Sequence, residues 1–180
     1  MAESNIIVSE RLLIAPFTSC FITEQYVGWL NDPEIVKYSE QRFKLHTMDS
    51  CRQYVRSFRR SPDYFWAISV KGEDQGHIGN ITASVMPEYS TADLGILMGE
   101  KKSWGKGYAT EAWAAVCDHL FACGFRKITA GTLSVNMPMR RLFDRAGMVE
   151  DGRRTKQAVF DGVEVDIVYA ALFNKNWNPK

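Results

Sequence analysis

Lys102-Ser103-Trp104-Gly105-Lys106-Gly107-Tyr108-Ala109-Thr110-Glu111 is a glycine-rich stretch between an apolar run, Leu94 to Met98, and a strongly helical pattern. Strand, glycine loop and helix in that order offer free main-chain N–H groups and the positive end of a helix to an anion. Glycine serves in such a loop because a side chain would block a phosphate or forbid the backbone angles required. The chemistry implied is a main-chain grip on a phosphate-bearing cofactor.

Two common phosphate motifs can be tested against this stretch. In a P-loop, Gly and four residues precede Gly-Lys-Ser/Thr. Here the spacing from Gly99 is too long, and Gly107 stands where a hydroxyl would bind magnesium. The dinucleotide fingerprint Gly-x-Gly-x-x-Gly starts at Gly105 and Gly107 but meets Thr110 at its third small position. It also lacks the acidic residue expected about 20 positions further on. A bare Gly-x-Gly can equally be a tight turn before a helix. The flanking residues decide between these readings.

Arg/Gln-x-x-Gly-x-Gly/Ala at a strand-to-helix turn is the pyrophosphate loop of the GCN5-related N-acetyltransferases (GNAT), and Lys102-Ser-Trp-Gly105-Lys-Gly107 resembles it. Lys102 departs from the usual Arg or Gln. The longer string Trp-Gly-Lys-Gly-Tyr-Ala-Thr-Glu-Ala is similar to the branch holding ribosomal-protein N-terminal, spermidine and amino-sugar acetyltransferases. The resemblance continues over most of the chain. It implies one α+β domain over 1–180, with a mostly antiparallel twisted sheet of about seven strands flanked by about four helices.

The same resemblance implies acetyl-CoA as cosubstrate and transfer of its acetyl group to a primary amine. Its pyrophosphate would meet N–H groups from Trp104, Gly105, Lys106, Gly107, Tyr108 and Ala109. The Lys106 side chain would add charge or stand solvated at the loop tip. Main-chain groups of Ile96, Leu97 and Met98 would receive the pantetheine arm, one N–H polarising the thioester carbonyl. Asn136 matches the family asparagine that hydrogen-bonds the cofactor, and Asn is also a good N-cap. Asp93 stands near the acidic position that relatives use as a base or as a water-chain anchor. It can equally be a surface carboxylate. Many relatives carry Tyr seven residues after the Asn as the acid, but Phe143 occupies that position and cannot donate a proton. Solvent, Tyr89 or Tyr38 would then serve, since a thiol pKa of about 8.5 makes thiolate a tolerable leaving group.

Elements that could position these groups follow from periodicity. Strands are expected at Arg11 to Phe17, Tyr64 to Val70, His77 to Val85, Ala92 to Met98 and Ile128 to Val135. A short helix runs from Glu24 to Leu30, and Thr47 caps a second bearing Cys51, Tyr54, Val55 and Phe58 on one face. Ala109, Ala112, Trp113, Val116, Cys117 and Leu120 recur at helical spacing, with Gly124 as C-cap. Met139, Leu142, Phe143 and Ala146 share a helix face that ends at Gly147. Lys71-Gly72-Glu73-Asp74 reads as a turn. Ala158 to Val165 reads as a hairpin around an Asp161-Gly162 type I′ turn, with a closing strand from Asp166 to Phe173.

Composition bounds the rest. A chain of 180 residues with net charge +1 carries no electrostatic footprint for nucleic acid or an anionic membrane. Arg59-Arg60 and Arg153-Arg154 are too short to alter that. Four cysteines, Cys20, Cys51, Cys117 and Cys123, show no metal-like grouping with the three histidines, so reduced thiols, no metal and a cytoplasmic setting are expected. Met-Ala-Glu-Ser-Asn has no basic n-region, and no leader or membrane span is expected. The segment Tyr26-Val-Gly-Trp29-Leu-Asn-Asp32-Pro33-Glu-Ile-Val-Lys37-Tyr38 resembles one found in acetyltransferases of amino sugars on nucleotide carriers and also in relatives acting on peptide N-termini. That resemblance implies small amino sugars or nucleotide-linked amines first as acceptors, protein N-termini second and polyamines third. Glu34, Glu40, Asp49 and Glu88 are scattered and make no acidic cluster in the sequence. A non-catalytic coenzyme A-binding module is the alternative of another class, and relatives often dimerise through sheet edges.

Overall fold

Ile7–Val8 (β1) and Leu12–Pro16 (β2) form an antiparallel ribbon in which Ile7, Leu12 and Ile14 point inward. The computed structural model describes residues 6–72 and 76–178. Two helices follow, α1 (Glu24–Asn31) and α2 (Met48–Ser57). Thr23 caps the first by accepting from the Tyr26 N–H at 3.1 Å. Thr47 and Ser50 cap the second reciprocally, a capping box. Next come β3 (Tyr64–Val70), β4 (His77–Met86) and β5 (Thr91–Met98), an antiparallel meander. The chain then alternates: α3 (Tyr108–Ala122), β6 (Lys127–Leu133), α4 (Met137–Arg145), β7 (Val149–Phe160) and β8 (Val163–Phe173).

The strands make one eight-stranded sheet in the order β1-β2-β3-β4-β5-β6-β8-β7. Its pairings are antiparallel except that of β5 with β6, which is parallel and joined through α3. Each face carries its own core. On one face Ala112, Trp113, Val116, Cys117 and Leu120 of α3 pack on Trp66, Ile81 and Ile128, joined by Leu142 and Phe143 of α4. On the other, α1 and α2 bring Tyr26, Trp29, Leu30 and Cys51 onto Phe17, Phe65 and Ala67. Each fully buried side chain of Val, Leu or Phe size contributes about 1.5–3 kcal/mol.

The α+β expectation holds, with eight strands in place of seven. The added strand is β1, whose two residues are too few to show alternation. The first long strand starts at Leu12, and β6 covers Lys127–Leu133 because Asn136 turns back to the Leu133 carbonyl at 2.9 Å. Gly124 lies one residue beyond the α3 cap, Cys123, at φ +95°. Asp161 (φ 49°) and Gly162 (φ 79°) form the expected left-handed turn. The hairpin is far longer than expected, however, since β7 begins at Val149 and β8 runs unbroken from Val163. Almost the whole of β7 is exposed, so no apolar alternation marks it, and two register shifts interrupt its pairing. Glu73 and Asp74 of the expected turn lie outside the described residues.

Trp29 lies flat over Gly99, just beyond the end of β5, so closely that a Cβ on Gly99 would fall 2.0 Å from the indole. Gly99→Ala should therefore cost about 1–3 kcal/mol by overpacking. In a chain of this size each kcal/mol lowers the melting temperature by about 2–4 °C, which calorimetry reads. Nearby, His77 sits among Phe17, Phe21, Tyr26 and Trp29 with ring centres 5.0–5.9 Å away. Burial pushes its pKa down from 6.5 to about 4. The unfolded chain then binds the proton more readily than the folded one between those values. Stability should accordingly fall as pH drops from 6.5 towards 4, and His77→Phe should flatten that slope in melting curves.

Candidate functional site

The parallel junction of β5 with β6 is short. Thr91, Ala92 and Asp93 pair with Lys127, Ile128 and Thr129, and there it stops, although β5 continues to Met98 and β6 to Leu133. Beyond Asp93, β5 stays with β4 while β6 stays with β8. The two strands part, and a cleft of about 860 Å³ opens between them.

The pleat determines which main-chain groups face this gap. Residues of a strand turn their N–H and C=O alternately to its two sides. The Ala92 carbonyl faces β6, 3.5 Å from the Thr129 hydroxyl oxygen. Two and three pleats on, Ile96 and Met98 turn the same way, into the gap. The main-chain groups of Leu97 belong to the β4 side, and its side chain packs against the α1–α2 core. The Met98 carbonyl is already engaged by the Trp104 indole N–H at 2.9 Å.

The glycine loop closes one end of the cleft. Gly105 (φ +76°) and Gly107 (φ +82°) adopt left-handed backbone, and Gly107 is the N-cap of α3. Space is not the constraint here: nothing lies within 4 Å of a Cβ on Gly105, and only the Arg11 guanidinium, at 3.5 Å, on Gly107. The positive φ is what calls for glycine. Tyr108 and Ala109, the first residues of α3, line the cleft, whereas Lys106 is exposed and its side chain does not. Ser103 also lines it, with its hydroxyl buried and without a hydrogen-bond partner among the described residues.

The loop is held from the far edge of the sheet. Glu111 on α3 accepts from the Arg11 backbone N–H, the Arg11 Nε and the Ser9 hydroxyl, each at 2.7 Å. A further Arg11 nitrogen donates to the Lys106 carbonyl at 3.0 Å, and the guanidinium lies 4.6 Å from the centre of the Tyr108 ring. Burial works against the Glu111 carboxylate, but these donors outweigh it and keep its pKa below the ordinary value.

Asn136 caps α4, accepting from the Met139 N–H at 3.3 Å and donating to the Thr132 hydroxyl at 2.9 Å. It stands on the cleft wall with one amide hydrogen and one lone pair unused among the described residues. Asp93 sits where the strands part and opens onto the cleft. Although its side chain is exposed at the cleft mouth, desolvation by the surrounding strands raises its pKa, opposed by the Thr129 hydroxyl donating to it at 2.6 Å.

Other sequence expectations separate cleanly in space. Phe143 is buried beside Trp113 (ring centres 6.2 Å apart), inside the core and off the cleft wall. Tyr38 lines the cleft, while Tyr89 is exposed and does not. Glu34 and Glu40 reach the cleft, but Asp49 and Glu88 do not, and Glu34 is paired with Lys101 at 2.5 Å. Arg141 and Arg145, one turn apart on α4, line it without an ion pair among the described residues. They were not singled out from the sequence. Their i, i+4 spacing beside Asn136 is the signal that could have found them.

Among the described residues the cleft wall thus offers β5 N–H groups turned away from β4, a hydroxyl without a partner, a helix N-terminus and two guanidinium groups outside any ion pair, together with a carboxylate of raised proton affinity. Among the described residues no group of three or more His, Cys, Asp or Glu could hold a metal ion.

Comparison with known proteins agrees with this arrangement. Residues 11–149 match the acetyltransferase (GNAT) domain family. No match was found among curated proteins. Among solved structures, a GNAT-family acetyltransferase from Bacillus anthracis superposes with a TM-score of 0.81 at 24% identity, covering 96% of this chain and 100% of its own. The ribosomal-protein-S5-alanine acetyltransferase of Vibrio fischeri does so at 0.77 and 17%, covering 97% and 100%. The microcin C7 self-immunity acetyltransferase MccE, solved in complex with acetyl-CoA and AMP, reaches 0.79 at 16%, covering 96% and 97%. The domain match spans most of the chain and includes both the split strands and the glycine loop, so this protein belongs to the GNAT family of N-acetyltransferases, which carry acetyl from acetyl-CoA to an amine.

Proposed function

We propose that this enzyme acetylates the primary amine of a small molecule, an amino sugar or nucleotide-linked amine, with Asp93 receiving the amine's proton. The observation that carries the reading is the place of Asp93. It lines the cleft where β5 and β6 part, together with Tyr38, Glu40 and Tyr169, and desolvation there raises its proton affinity although solvent still reaches it.

Acetyl-CoA, when bound, supplies an acetyl thioester open to attack by an amine. The residues present suit it. Ser103 has an unused buried hydroxyl, and the loop N–H groups with the α3 N-terminus complement a pyrophosphate. Arg141 and Arg145 add charge for its phosphates, and Asn136 keeps a free amide hydrogen. Ile96 and Met98 turn N–H groups into the gap for the pantetheine arm, and one such N–H, fixed in a strand, polarises the thioester carbonyl. Leu97 contributes its side chain and leaves its main chain to β4. Lys106 contributes its N–H and leaves its side chain in water.

An alkyl ammonium has a pKa of about 10.4 and must lose a proton before attack. Asp93 takes it, held in place by Thr129. Phe143 has no hydroxyl to return a proton to the departing thiolate, so water or Tyr38 does so. A polyamine would favour a strongly acidic pocket, and here Lys101 offsets Glu34. MccE, of similar fold, holds AMP together with acetyl-CoA, which is in line with a nucleotide-linked acceptor. The four cysteines are free thiols, which suits a reducing cytoplasm.

Two substitutions test this mechanism. Asp93→Asn should leave acetyl-CoA binding unchanged and lower turnover by about 10²–10⁴-fold at low pH. The deficit should shrink as pH rises and free amine forms unaided. A deficit independent of pH would remove Asp93 from proton transfer. Gly107→Asp puts a carboxylate at the α3 N-terminus on left-handed backbone that costs about 1–2 kcal/mol. Calorimetry should show acetyl-CoA affinity at least about tenfold weaker, and unchanged affinity would move the pyrophosphate elsewhere.

A further inference from the structure

Beside the acetyl-transfer cleft lies a second cavity of about 320 Å³ between the segment following α1 and the tip of the β7–β8 hairpin. Lys37, Arg42 and Phe43 line one side, Phe160 and Asp161 the other. Tyr38 joins the two spaces: it lines the cleft and stacks on Phe160, ring centres 5.3 Å apart at 24°.

The charges here are not spent on each other. Among the described residues neither Lys37 nor Arg42 forms an ion pair, whereas Arg11, Lys101, Lys127 and Arg153 all do. Arg42 is oriented by main-chain carbonyls alone, donating to Lys37 at 3.4 Å and to Ser39 at 3.2 Å, which positions the guanidinium without neutralising it. It lies 4.3 Å from the centre of the Phe43 ring and 6.0 Å from that of Phe160. The Lys37 ammonium is 5.7 Å from the Phe160 ring centre. Phe43 is 68% exposed, so a large apolar face stands open beside two free cations.

Two cations fit a phosphate, an open aromatic face fits a planar ring, and a carboxylate on a turn accepts from hydroxyls. Phosphate, planar ring and hydroxylated sugar together make a nucleotide. We propose that this cavity binds a nucleoside monophosphate portion of the acceptor, with Lys37 and Arg42 on its phosphate, Phe43 against its base and Asp161 on its sugar hydroxyls. Tyr38 then stands between that anchor and the amine presented to Asp93. The proposal rests on the small-molecule reading above and narrows it to an anionic, nucleotide-linked amine.

The test uses the full chain saturated with coenzyme A, which occupies the site for its own adenine nucleotide. AMP, UMP, adenosine and inorganic phosphate are titrated by calorimetry. The nucleotides should bind, with affinity falling as salt rises. Lys37→Gln combined with Arg42→Gln should weaken AMP at least about tenfold and flatten the salt dependence. Phe43→Ala should weaken AMP while leaving inorganic phosphate unchanged. AMP should compete with the acceptor amine and not with acetyl-CoA. No binding of either nucleotide to the coenzyme A-saturated protein, or variants that bind as the wild type does, would overturn the proposal. Thiol release with a panel of simple amines and amino sugars tests acetyl transfer separately. Turnover there without nucleotide binding sinks the nucleotide site alone. Nucleotide binding without turnover of any amine, nucleotide-linked ones included, sinks the acceptor reading.

Discussion

The short parallel contact between β5 and β6 is the constraint on which the rest depends. A longer ladder would satisfy the N–H groups of Ile96 and Met98 with the strand beside them and leave nothing for a ligand. A contact shorter than three pairs would let the two halves of the sheet separate. As built, β4 and β8 each hold one arm of the fork, so its open mouth belongs to the folded sheet. Polar main chain left unpaired inside a protein is costly, which is why such a gap requires either water or a ligand that returns the missing bonds.

Around that fork the chain spends its specific contacts on fixing the loop. An exposed ion pair is worth about 0–1 kcal/mol, and several in this molecule are of that kind. The Arg11–Glu111 pair differs because one carboxylate accepts from a backbone N–H, a hydroxyl and a guanidinium together. The same guanidinium also reaches the carbonyl inside the loop. Trp29 over Gly99 and Lys101 against Asp32 and Glu34 secure the approach to the loop from the opposite face. Helix α1 and the turn between β1 and β2 thus both position the loop, though neither adjoins it in sequence.

What the sequence revealed follows from how local each signal is. The loop glycines, the Thr47 and Asn136 caps and the Asp161-Gly162 turn are choices made within four residues, and each stands where it was expected. Helix α3 was equally legible because its apolar spacing has one solution. Strand β7 was not, since an exposed strand interrupted by bulges carries neither alternation nor apolar content. Ser103, Arg141, Arg145 and the Trp29–Gly99 contact escaped for a different reason: their meaning lies in what faces them across the fold. Leu97 shows the finer limit. Which residues turn their main chain to the gap depends on the phase of the pleat against β6, and that phase is invisible in a list of apolar residues.

The order in which the chain is made bears on the site. The wall opposite β5 is β6, and β6 is held in place by β8, the last strand in the sequence. The tie at Arg11 waits for a partner 100 positions later. A partly synthesised chain can hold the glycine loop and α3 and still lack the fork, because the strand that keeps β6 in register has not yet emerged. Cofactor binding in this fold therefore waits until β8 has been made and the two halves of the sheet have met.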